Sequence, residues 1–101
     1  MTLSWDDAAW EDFQYWLDTD KAIARKIRAL LKECLRTPTM GTGKPEPLKH
    51  DFAGFWSRRI SGEHRLIYRF ESDLVYVLQC RFHYTKKQAQ RRSRTPIAGH
   101  I

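Results

Sequence analysis

The sequence predicts an α+β fold, with two N-terminal helices packed on an antiparallel β-sheet. Apolar residues recur every three to four positions up to Thr37 and every second position from Phe55 onward, and a Gly- and Pro-rich stretch, Pro38 to Pro47, separates the two regimes. With 101 residues, 42% of them hydrophobic and 13% aromatic, the chain can bury one modest core. Residues 1–84 are therefore read as a single domain and 85–101 as a basic C-terminal extension.

Leu3 and Trp5 suggest a short first strand. Ser4 or Asp6 then offers a side-chain oxygen to cap a helix in which Trp10, Phe13 and Leu17 repeat at helical spacing, and Asp6 and Asp7 suit its positive end. After Thr19-Asp20, Ile23, Ile27, Leu30, Leu31 and Cys34 form one stripe of a second helix, with Lys21, Arg25, Arg28, Lys32 and Arg36 on the opposite side. Thr37-Pro38 should end it. The basic stripe is read either as a solvated face, paired with the acidic first helix, or as a surface for RNA phosphate.

From residue 55 three alternating runs follow: Phe55 to Ile60, His64 to Phe70 and Leu74 to His83, joined by the short turns Ser61-Gly62-Glu63 and Glu71-Ser72-Asp73. They read as an antiparallel meander. Trp56, Ile60, Leu66, Tyr68, Phe70, Leu74, Tyr76, Leu78, Cys80 and Phe82 are assigned to the face toward the helices. The alternate positions Ser57, Arg59, Arg65, Arg69, Gln79, Arg81 and His83 are assigned to the other. Arg58 and His64 depart from the alternation, but both lie near the hairpin turn, where a polar side chain reaches water. A polar outer face is ordinary in an antiparallel sheet. This one holds four Arg, one His and no acid, and the planar guanidinium fork matches phosphate in two-point contacts.

The net charge of +6 is organised by segment: −6 over residues 1–20, +5 over 21–36, +3 over 37–69, −1 over 70–84 and +5 over 85–101. An argument for nucleic acid must therefore rest on local placement rather than on the total. The first twenty residues carry six acids and no Lys or Arg, and the longest apolar run is Leu74 to Leu78, so no membrane targeting or membrane partner is expected. Cys34 and Cys80 both fall at core positions and are expected as buried reduced thiols, which suits a cytoplasmic location.

Glu46 stands between Pro45 and Pro47, rings that stiffen its approach and push it toward extended backbone. Lys49 follows three residues later. Gly41 and Gly43 form no phosphate-cradling motif, since no helix start follows them. Together Glu46, Lys49, Arg59, Arg65, His83 and Tyr84 form a side-chain set suited to cleaving RNA with no metal or cofactor. A carboxylate can take a proton, an imidazole of ordinary pKa near ~6.5 can return one, and guanidinium groups can hold charge developing on phosphate.

Four segments, Gly43-Lys44-Pro45-Glu46-Pro47-Leu48-Lys49, Gly54-Phe55-Trp56-Ser57-Arg58-Arg59-Ile60, Glu63-His64-Arg65-Leu66-Ile67-Tyr68 and Arg81-Phe82-His83-Tyr84, together resemble the Txe/YoeB toxins of bacterial type II toxin–antitoxin systems, a branch of the RelE-like superfamily. The resemblance spans residues 1–84. It implies two helices on an antiparallel sheet and a ribosome-dependent endoribonuclease that cuts messenger RNA in the A site and inhibits translation. A cognate YefM-like antitoxin with a disordered C-terminal segment is the implied partner, besides the ribosome and mRNA, and a homodimer is allowed. Carried onto this sequence, the resemblance implies Glu46 as general base on the ribose 2′-hydroxyl, His83 as general acid and Arg65 as stabiliser of the transition state. Lys49 and Arg59 would grip the RNA backbone, and Tyr84 would orient a base.

Attack by the 2′-hydroxyl needs no bimolecular step and leaves a 2′,3′-cyclic phosphate and a 5′-hydroxyl, so DNA should not be cut. The alternatives are a non-catalytic A-site binder of the same fold and, more distantly, a gyrase-poisoning relative. Family members commonly stop near the His-Tyr pair, whereas Thr85 to Ile101 continues here with Lys86, Lys87, Arg91, Arg92 and Arg94. That extension is read as an accessory RNA-contacting tail, with a passive extension or a non-native appendage as alternatives.

Overall fold

A computed structural model describes residues 2–82. Its elements run β1 (Thr2–Trp5), α1 (Asp7–Thr19), α2 (Lys21–Arg36), β2 (Glu46–Pro47), a 3-10 turn (His50–Phe52), β3 (Trp56–Ser61), β4 (His64–Glu71) and β5 (Leu74–Gln79). His83, Tyr84 and the extension 85–101 lie outside the described residues. The two helices pack on one five-stranded sheet of order β1-β5-β4-β3-β2, so the expected α+β architecture holds. The sheet is mixed rather than wholly antiparallel, because β1 pairs parallel to β5. Backbone bonds fasten that strand at both ends, Thr2 N donating to Asp73 O and Asp6 N to Val77 O, each at 2.8 Å.

Local sequence sets the helix ends. Asp6, not Ser4, caps α1, its carboxylate accepting from Ala8 N at 2.9 Å. Asp20 caps α2 by accepting from Ala22 N and Ile23 N. The apolar stripe of α2 packs as expected, burying Ala24, Ile27, Leu30, Leu31 and Cys34, and Lys21, Arg25, Arg28, Lys32 and Arg36 are exposed. In α1 the buried face is Ala9, Asp12, Phe13 and Trp16, which leaves Trp10 and Leu17 48% and 37% exposed. The helix is rotated from the expected Trp10-Phe13-Leu17 stripe because Asp12 and Trp16 bind the backbone of Cys80.

Both faces of the sheet carry buried apolar residues. Ile60, Leu66, Tyr68, Val75 and Val77 join the helices in the main core. On the other face Phe52, Ile67 and Leu78 form a second cluster, with Leu48, Phe55 and Tyr76 packed against it. This corrects the assignment of Leu74, Tyr76 and Leu78 to the helix side: Val75 and Val77 take that side. An irregularity in the β4–β5 pairing, where Ile67 opposes Gln79 but Tyr68 opposes Val77, resets the phase. Cys34 and Cys80 are buried and unbridged.

Arg58 does not reach water at the turn. It is fully buried beneath α2, and its guanidinium gathers the chain that follows that helix. Nε donates to Tyr68 Oη at 3.1 Å, Nη1 to Glu33 Oε1 at 2.9 Å and Thr42 O at 3.1 Å, and Nη2 to Thr37 O and Met40 O at 2.8 Å each. Tyr68 Oη donates in turn to Pro38 O. Glu33 also accepts from Thr42 N and Thr42 Oγ1, both at 2.7 Å. The Thr42 bonds, with Arg58 assisting, hold the Glu33 carboxyl below its ordinary 4.5. Burial pushes the Tyr68 phenol up to about 12, so it stays a donor.

Replacing Arg58 with Met removes one donor from Glu33, which keeps its two Thr42 bonds, and takes the guanidinium bonds from Thr37 O, Met40 O and Thr42 O, and urea unfolding is expected to show a loss of about 1–3 kcal/mol. Because the Glu33 pKa is lowered on folding, its contribution is present above its unfolded value and disappears as pH falls through the folded one. Glu33→Gln is therefore expected to flatten the acid side of the stability–pH curve below about pH 4.5.

Candidate functional site

Strand register decides which of the candidate residues meet. Glu46 opposes Ser57 across the β2–β3 pair, and Arg59 opposes Arg65 across β3–β4. Residues directly opposite share a face, as do residues two apart on one strand, so Glu46, Ser57, Arg59 and Arg65 all belong to the face away from the helices. Glu46 and Arg59 are diagonal neighbours, typically ~7–8 Å apart, and Arg65 lies two strand spacings across and two residues along from Glu46, about 12 Å in all.

The strut carrying Glu46 is fixed by its neighbours. Gly43 O accepts from Arg59 N at 2.7 Å, and Leu48 N donates to Phe55 O at 2.9 Å, so both flanks of β2 are tied to β3. Gly43 has φ +87, and a Cβ there would meet Arg59 O at 3.0 Å and Arg58 Cβ at 3.1 Å. Only glycine lets the chain lie so close against β3. Glu46 is exposed at the border of the second apolar cluster, beside Ser57. Lys49 is exposed at the start of the 3-10 turn and, among the described residues, makes no hydrogen bond or ion pair with the other candidates.

The cationic patch is smaller than the alternation implied. Arg59 is exposed, while Arg65 is half-buried and its Nη1 donates to Ser61 O, Gly62 O and His64 O at 2.9–3.1 Å. Arg69 is taken up by Glu71 at 3.1 Å and by the Tyr76 ring at 4.6 Å. Arg81 leaves the face altogether: its guanidinium stacks 3.6 Å over the Tyr15 ring of α1. Two arginines on opposed positions repel each other, which an anion between them would relieve.

His64 also departs from expectation. It packs edge-on against Trp16 with ring centroids 4.8 Å apart, and its Nδ1 accepts from Phe82 N at 2.8 Å. Arg65 N donates to Phe82 O at 3.1 Å. The described chain therefore ends against the strand that carries Arg65. His83 and Tyr84, the remaining two candidates, lie outside the described residues. Sequence reasoning passed over His64 and Gln79 as supports of this end; the neighbour relation of His64 to Arg65 was the available signal.

Residues 5–84 match the family described as the YoeB-like toxin of the bacterial type II toxin–antitoxin system. The chain belongs to that family. Toxin YoeB of Escherichia coli strain K12 is 52% identical over 84 residues, covering 83% of this chain and all of the relative. Toxin RelK of Mycobacterium tuberculosis is 49% identical over 83 residues, covering 82% of this chain and 98% of the relative. Among solved structures, a YoeB/ParE toxin from Agrobacterium tumefaciens superposes with a TM-score of 0.80 at 49% identity, over 83% of this chain and all of that one. A YoeB–YefM complex from Staphylococcus aureus gives 0.77 at 36% identity, over 83% and 98% of the two chains. YafQ from E. coli, at 16% identity and a TM-score of 0.63, shares the fold.

The tight approach of Gly43 to β3 is a feature of this YoeB-family chain that can be tested directly. Gly43→Ala forces a side chain into a positive-φ position against backbone and is expected to cost more than about 1 kcal/mol in thermal or urea unfolding.

Proposed function

We propose that this YoeB-family toxin is a ribosome-dependent messenger RNA endoribonuclease that cuts in the A site and so inhibits translation. The observation that carries the reading is the strand register, which sets Glu46, on a backbone tied at both flanks, on the same sheet face as the opposed pair Arg59 and Arg65. A carboxylate beside paired guanidinium groups is the arrangement needed to deprotonate a ribose 2′-hydroxyl next to a phosphate held in place.

In this reading Glu46 is the general base. As the 2′-oxygen attacks the phosphorus, Arg65 stabilises the charge on the non-bridging oxygens, its guanidinium oriented by the turn carbonyls of Ser61, Gly62 and His64. His83 protonates the departing 5′-oxygen, which leaves a 2′,3′-cyclic phosphate and a 5′-hydroxyl. Arg59 and Lys49 hold the flanking backbone, and Tyr84 orients a base. The exposed basic side of α2, with Lys21, Arg25, Arg28, Lys32 and Arg36, supports a second contact with ribosomal RNA. A YefM-like antitoxin is the proposed inhibitory partner and a second copy of the chain a further one, on the precedent of the S. aureus YoeB–YefM complex and YoeB dimer.

Mapping 5′ ends on ribosome-bound transcripts tests the reading. The wild-type chain is expected to cut within the A-site codon, and Glu46→Gln to slow cutting by ~10²–10⁴-fold while ribosome binding persists. Translation arrest with intact transcripts would replace the enzyme with a non-catalytic A-site binder. Arg65→Ala is expected to cost ~10²–10³-fold in single-turnover rate.

A further inference from the structure

We propose that His64 is a positioning residue of the cleavage site: by accepting the Phe82 N–H at Nδ1, it fixes the turn that brings the end of β5 against Arg65. The inference rests on the reading of the site given above and deepens it.

Beyond Gln79 the chain leaves the β ladder, and side chains from three elements take over its backbone groups. From α1, Asp12 Oδ2 accepts from Cys80 N at 3.1 Å and Trp16 Nε1 donates to Cys80 O at 2.9 Å. From β5, the fully buried Gln79 donates through Nε2 to Arg81 O at 3.0 Å and to Phe82 O at 3.3 Å. From β4, His64 and Arg65 close on Phe82 from both sides, the imidazole taking its N–H and the Arg65 N–H its carbonyl. Phe82 has φ +71, a left-handed conformation that a phenylalanine holds only when its surroundings impose it.

His64 suits that task because its ring is itself held. Trp16 supports it edge-on, and Nε2 lies 3.6 Å from Glu63 Oε2. A nitrogen that accepts a hydrogen bond carries no proton, so the tautomer at work has its hydrogen on Nε2, on the side of Glu63. Among the described residues, His64 is the acceptor of the Phe82 N–H. Removing the acceptor leaves the Phe82 carbonyl bonds to Arg65 N and Gln79 Nε2 but releases its N–H, and frees the turn to relax from its strained φ. Because His64 and Arg65 are consecutive, the same stretch of β4 orients the Arg65 guanidinium, through His64 O, and Phe82 beside it.

The test separates acceptor from bulk. Asn at position 64 places a carbonyl oxygen where Nδ1 stands, whereas Leu fills space and accepts nothing. Hydrogen exchange at the Phe82 amide, read by NMR, is expected to be slow in wild type and His64→Asn and at least about tenfold faster in His64→Leu. Single-turnover cutting of ribosome-bound message is expected to fall about 10–100-fold in His64→Leu with the half-saturating concentration unchanged, and to be restored by His64→Asn. Should His64→Leu fail to fold, His64→Gln, whose oxygen reaches the Nε2 position instead, takes its place.

Rapid exchange of the Phe82 amide in wild type would overturn the proposal. So would a variant with a freed amide that still cuts at the wild-type rate, or a His64→Asn chain as slow as His64→Leu. Absence of cutting by the wild-type chain would instead refute the proposed function, and the exchange measurement would still decide whether His64 holds the turn.

Discussion

The buried guanidinium of Arg58 is the constraint around which this structure is organised. A cation with no exposed surface is tolerated only when its donors are all engaged, and here they close on Glu33, the Tyr68 hydroxyl and three carbonyls of one loop. Those carbonyls, from Thr37, Met40 and Thr42, belong to the segment that turns the chain from α2 toward β2. A loop of this kind would ordinarily be held by its own turns alone. Here it is fastened to the middle of β3, and Gly43 and Glu46 inherit the rigidity. The carboxylate proposed to begin the chemistry is thus held in place by a charge on the opposite side of the sheet.

The two faces of the sheet divide the work differently from a simple inside and outside. The helix side holds the main core, and the other side is partly roofed by Leu48, Phe52 and Phe55. What stays open is the corner where β2, β3 and the β3–β4 turn converge. Confinement to that corner explains why few cations suffice: Arg59 and Arg65 are opposed there, while Arg69 and Arg81 are engaged elsewhere. The low-dielectric cluster alongside strengthens whatever charge interactions the corner makes.

Much of the fold was legible in the sequence because helix and strand periods do not overlap. The α2 stripe, the Asp20 boundary and both hairpin turns stand where the pattern put them. β5 was misread in phase because Leu74 to Leu78 is apolar at every position, and a run without alternation carries no information about which side is which. Its parallel neighbour β1 could be expected as a strand but not oriented, since orientation depends on contacts some seventy residues away. For the site, the proline-flanked Glu46 and the alternating Arg59 and Arg65 were visible locally. The alternation does not reveal the buried roles of Arg58 and His64, because their partners lie on the loop after α2 and just beyond β5, relations that no spacing rule encodes. The placement of His83 and Tyr84 falls outside the described residues.

The parallel junction of β1 with β5 has a further bearing on how the molecule comes into being. Thr2 is registered with Leu74, and Asp12 and Trp16 wait for Cys80. During synthesis the opening helix hairpin has neither its strand partner nor the ligands for its buried carboxylate until almost the whole domain has emerged from the exit tunnel. Closure is therefore a late, long-range event, slow by the usual dependence on sequence separation. The domain is thus assembled in an order that leaves its opening strand and helix hairpin without their partners until the last strand has been made.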